Sequence, residues 1–161
     1  MKEASLLFDP RQKFLVELIW WTVTTLLVLL ILFPINSATE KYPFYLINAI
    51  FIIVFITTSR YIFFLKYTFL AWRQYLKIIL AFLSIILVFN LVNNLNYFIT
   101  FIDENSYSPF LGHLSDADQI KMETYIRTEM LLFGVGSIVS SAIFPFRMVL
   151  SVWRVRNRNT V

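Results

Sequence analysis

Residues 78–102 read IILAFLSIILVFNLVNNLNYFITFI, a run without a single Asp, Glu, Lys or Arg. About 20 predominantly apolar residues carry a helix across about 30 Å of hydrocarbon, so this stretch is long enough to span a bilayer. No face of it bears charge, as the outer face of a soluble amphipathic helix would. Three further apolar runs, 14–33, 44–64 and 130–152, each with a single charged residue, lie to either side of it. The 161-residue chain is 58% hydrophobic and 15% charged, whereas a soluble domain is nearer half apolar and about a quarter charged. Lipid is therefore the expected solvent. A backbone in lipid must satisfy its own hydrogen bonds, which selects helices here. The expected fold is all-α, a polytopic four-transmembrane-helix bundle forming a single integral membrane domain over 1–161.

The first run exceeds the roughly 7–15 residues of a signal-peptide core, and Asn36-Ser37-Ala38 is a poor cleavage site, so this run is expected to stay as a helix. Orientation follows from the basic residues. Lys2, Arg11 and Lys13 precede span one, Arg60, Lys66, Arg73 and Lys77 surround the second connection, and Arg147, Arg154, Arg156 and Arg158 close the chain. Only Lys41, Lys121 and Arg127 fall on the other side, which also takes Glu40, Asp103, Glu104, Asp116, Asp118, Glu123 and Glu129. Positive charge marks the cytoplasmic face, so both termini are expected there. Trp20, Trp21, Trp72 and Trp153 lie at or near the same inner ends, where an amphipathic ring suits the headgroup layer.

The connections are compact. The first, 34–43, is too short for a domain. The second, 65–77, mixes Tyr67, Phe69, Leu70 and Trp72 with Lys66, Arg73 and Lys77 and is expected to lie along the membrane surface. The third, an outer loop over 103–129, is the only sizeable segment outside the spans. Within it Ser115-Asp116-Ala117-Asp118 fits a capping-box pattern, predicting a short outer helical segment that leads into span four and presents a docking surface.

Reaction chemistry is poorly served. The chain has no Cys, which removes disulfides, thiolate metal sites and cysteine nucleophiles. Its one His, His113, excludes di-iron and paired haem ligation and H-E-x-x-H zinc sites. No G-x-S-x-G elbow or Gly-rich phosphate loop is present. No catalytic centre, cofactor or metal site is expected, and the +4 net charge reads as a topology signal rather than a nucleic-acid surface. His113 near Asp103, Glu104, Asp116 and Asp118 is read as part of a solvated loop.

Three sets of residues stand out inside the spans. Asn90, Asn93, Asn94 and Tyr97 share one helical arc, continued by Thr100 and Glu104. A polar stripe in lipid needs partners, so it is expected to face other helices or water, as interhelical hydrogen bonds or as a solute path. Gly136 and Ser140, with Ser137 and Ser141, form two small-xxx-small pairs for close helix packing, within the bundle or against another subunit. Pro145 below them is expected to kink span four. Glu17, Arg60 and Arg147 are intramembrane charges, and Glu17 is expected to pair with one of the two arginines. A lone carboxylate in span one also resembles the small multidrug exporters, in which such a residue alternates between proton and drug. This chain departs from them in its length, its lack of Gly-rich helices and the position of Glu17 near the membrane edge.

The expected function is a non-catalytic subunit, scaffold or assembly factor of a larger complex in a bacterial cytoplasmic (inner) membrane. Its partners are then lipids and other membrane subunits, or further copies of itself. The alternative is a small oligomeric transporter or channel using Asn90, Asn93, Asn94 and Glu17.

Overall fold

The computed structural model describes residues 10–39, 41–71 and 73–157, with the side chains of Pro10, Arg11 and Lys13 not included. Lys2, Glu40, Trp72 and Arg158, on which the orientation argument also draws, lie outside the described residues. The chain is all-α. Helix α1 spans Pro10–Ala38, α2 Tyr45–Phe64, α3 Gln74–Asn105, α4 Ser108–Leu111 and α5 Asp116–Asn157, with two 3₁₀ turns, Leu65–Tyr67 and Phe69–Ala71, between α2 and α3. Helices α1, α2, α3 and α5 are each long and apolar enough to cross a membrane.

The four long helices run up and down. One end of the bundle holds the start of α1, the 3₁₀ turns and the close of α5, and is called here the terminal end. The other holds the α1–α2 link and α4, and is called the distal end. Helix α5 packs against both α2 and α3, while α1 rests mainly on α2 along one edge. Leu15, Leu18, Ile19, Leu26, Leu29, Leu30 and Phe33 of α1 remain exposed, as lipid-facing side chains would be.

Small residues let α5 approach its neighbours. A Cβ on Gly134 would lie 2.8 Å from Leu95 Cδ1, and one on Gly136 would lie 2.9 Å from the Phe55 ring. Ser137 and Ser141 are fully buried and Ser140 nearly so. The small face of α5 is thus occupied within the bundle.

Helices run further than the apolar runs alone suggest. Helix α1 continues through Pro34 to Ala38, because Ile35 is fully buried and its carbonyl takes the Thr39 N–H at 2.9 Å. The connection expected over 103–129 is mostly helix: α3 extends to Asn105, and α5 begins at Asp116 and passes without a break through Pro145. At about 1.5 Å per residue, the 42 residues of α5 reach roughly twice the hydrocarbon thickness, so its charged first turns project at the distal end. Ser115 caps it. Its Oγ accepts the Asp118 N–H at 3.4 Å and donates to Asp118 Oδ2 at 2.7 Å.

The 65–77 segment folds under the bundle more than it lies beside it. Leu70 is fully buried and Thr68 and Leu65 nearly so. Leu65 and Leu70 close a terminal apolar cluster with Ala81, Phe144 and Met148. A larger distal cluster joins Ile35, Phe44, Phe51, Leu91, Leu95, Phe98, Phe110 and Met130.

Candidate functional site

Polar groups in this bundle gather at three places. At the terminal end, Glu17 of α1 and Arg60 of α2 form an ion pair of 2.7 Å with both side chains nearly buried. Phe69 donates its backbone N–H to Glu17 at 3.4 Å. The Arg60 guanidinium also lies 5.4 Å from the ring centres of Trp20 and Tyr61, a cation–π arrangement that offsets part of its desolvation. Arg147, the other candidate partner of Glu17, instead donates from Nε to the Ile62 carbonyl at 2.9 Å. It sits on α5, which touches α1 little. Lys77, read from sequence as a loop cation, is buried on α3. Its Nζ donates to the Ala71 carbonyl at 2.9 Å, to Ser151 Oγ at 2.9 Å and to Gln74 Oε1 at 3.2 Å.

At mid-bundle the Thr58 and Ser140 hydroxyls lie 2.6 Å apart, linking α2 to α5. Toward the distal end, Asn48 of α2 donates from Nδ2 to Glu129 Oε1 of α5. Asn48 is fully buried and Glu129 only 6% exposed, so Glu129, counted from sequence among the acids of the outer loop, belongs to the interior. Continuation of α5 explains the correction. Eleven residues, about three turns, separate Glu129 from Ser140, so the two share a face. Neither Glu129 Oε2 nor Asn48 Oδ1 has a hydrogen-bond partner among the described residues. Tyr42 stands beside them, and burial first, then the Glu129 charge, pushes its phenol well above its ordinary range, so it stays a protonated donor. Burial likewise raises the phenol of Tyr107.

The distal links are tied by side chains as well. His113 Nε2 meets the Ala38 carbonyl at 2.9 Å, and the Tyr125 hydroxyl donates to the Ile31 carbonyl at 2.8 Å. Among the described residues no three His, Asp or Glu side chains come together as a metal ion would require.

The third polar set is the stripe on α3. It does not face the other helices of the chain: Asn90, Asn93, Asn96, Tyr97, Thr100 and Glu104 are exposed and Asn94 is half-buried. Leu91, Leu95 and Phe98, on the opposite arc, take the core positions against α5 and α2. Nine residues, or 900° at 100° each, separate Asn93 from the buried Ser84, so Asn93 points directly away from the bundle. Asn90 turns its amide back to the Ile86 carbonyl at 3.0 Å.

Comparison with protein-family models, with characterised proteins and with solved structures gives no match.

Proposed function

We propose that the chain is a non-catalytic subunit or assembly scaffold of a larger membrane complex, held there through the outward face of α3. The observation that carries this reading is the exposure of Asn90, Asn93 and Asn96 midway along α3. Side-chain amides in hydrocarbon need partners, and among the described residues the partner of the Asn90 amide is a backbone carbonyl of its own helix. The rest of its polar interior favours architecture over turnover. Glu17 is bound to Arg60, which speaks against its alternating between proton and drug, and Thr58, Ser140 and Asn48 join helices. The proposed setting is a bacterial cytoplasmic membrane with both termini inside. The basic terminal end, with Arg60, Lys66, Arg73, Lys77, Arg147, Arg154 and Arg156, supports that orientation.

An oligomeric pore would also turn an Asn face toward its axis, and this is the second reading. One experiment separates the two. The full chain and an Asn90→Leu, Asn93→Leu variant are purified from native membranes in mild detergent, and each is also reconstituted in liposomes. Stoichiometric assembly of the parent, lost in a folded variant, with no ion flux, is the expected result. A parent that is a lone monomer, or that conducts ions, overturns the subunit reading.

A further inference from the structure

The Asn face of α3 specifies its partner more closely than a general docking surface would. We infer that a second copy of this chain covers it, with the two α3 helices side by side and parallel about a two-fold axis along the membrane normal. This inference rests on the subunit reading above and names the partner.

Leu83, Ile86, Asn90, Asn93, Tyr97, Thr100 and Glu104 are all exposed and follow one another at alternating three- and four-residue steps. That spacing is the seam of a left-handed pair of helices, in which identical positions of two parallel chains face each other. Copies of one protein inserted in the same sense carry each residue at the same depth. Every polar group on the seam then meets its own counterpart at its own level. For charged side chains such self-pairing fails, because like charges repel. An amide carries both donor and acceptor, so Asn facing Asn is satisfied on both sides, and a buried Asn at such a position also fixes register and a two-stranded state. Two of the five polar residues on this seam, Asn90 and Asn93, are therefore of the type that self-pairing requires.

The flanks of the seam agree. Toward the terminal end the same face carries Phe82, Ile86 and Phe89, each exposed by 60% or more. Beside them a groove of about 670 Å³ between α3 and α5, lined by Ile85, Val88, Phe89, Pro145 and Val149 among others, gives bulky side chains of a second chain room to pack. At the distal end the seam closes on Glu104, where two carboxylates meet. The helices part there, in reach of water.

Because the chain lacks Cys, single cysteines report the geometry without background. Full-length chains carrying Ile86→Cys, Asn93→Cys or Thr100→Cys are oxidised in native membranes with a membrane-permeant oxidant, next to Leu132→Cys on α5 and Leu29→Cys on α1, both exposed away from the seam. The expected result is a disulfide-linked homodimer from the three seam positions and from neither control, since bridging requires Cα atoms within about 7 Å. Thermal melts establish that each variant is folded. In a second measurement, Asn93→Leu in the otherwise unchanged chain lowers the dimer association constant roughly 3- to 20-fold, the range set by interhelical hydrogen bonds in membranes. Equal cross-linking at seam and control positions overturns the assignment of the face. No self-cross-link, with another protein held through the same α3 positions, overturns the two-fold pairing and leaves the subunit reading standing. A monomer with no partner overturns both.

Discussion

Glu17 at the terminal end and Glu129 toward the distal end are both buried carboxylates in apolar helices, and their surroundings are opposite. Glu17 has a guanidinium at 2.7 Å and a backbone N–H, whereas among the described residues Glu129 has one amide donor and an oxygen with no partner. A carboxylate built against a cation makes each charge depend on the other. One built against an amide has no such counter-ion to depend on. The terminal end is thus locked by electrostatics, and the distal end by shape, through Phe44, Phe98, Phe110 and the tyrosines around them.

The largest effect expected is from Arg60→Met, which strands Glu17 in the bundle and lowers stability by about 3–5 kcal/mol. Unfolding of the purified chain in detergent measures it, and Glu17→Gln added to Arg60→Met recovers much of the loss. Next comes Asn48→Leu, which removes the donor that Glu129 has among the described residues, at a cost of about 1–3 kcal/mol. A loss equal to that of Arg60→Met would erase the distinction between the two ends. The direct contrast is between two identical chemical changes. Glu17→Gln leaves Arg60 buried without its counter-ion and destabilises, while Glu129→Gln keeps the shape, removes an unneutralised charge and stays within about 1 kcal/mol of the parent. Reversal of that order would mean that Glu129 has a cation partner in the assembled state. The smallest effect is reserved for the hydroxyl pair at mid-bundle, where Ser140→Ala costs about 0.6 kcal/mol. Ser140→Leu, by contrast, forces α5 off α2 and moves the melting curve far more than Leu131→Ala does.

Four spans were legible because lipid demands long uncharged runs and little else competes with that signal. Their ends were not, since Pro34 and the acids after Ile102 look like breaks until buried neighbours hold the helix on. The arc of Asn90, Asn93, Asn94 and Tyr97 was legible from periodicity, but that it turns away from the other helices of this chain was not. Polar residues in a span suggest an inward face, yet Leu91, Leu95 and Phe98 offer the larger apolar area and take the core. The small face of α5 and the need of Glu17 for an arginine could be read from spacing. Choosing Arg60 over Arg147 required knowing that α1 lies on α2. Glu129 and Lys77 were missed for a common reason: a charge next to a connection reads as solvated until the helix through it is known to continue.

The attachment of α1 along one edge has a consequence in time. Tyr125, whose hydroxyl holds the Ile31 carbonyl, follows it by 94 positions. At about 5–20 residues per second of synthesis, α1 waits on the order of 5–20 s for that tether. During the first part of that wait Glu17 is in the growing chain without Arg60, which has yet to be made. Of the four long helices, the least supported one is therefore made, with its buried carboxylate, before the residues that hold it.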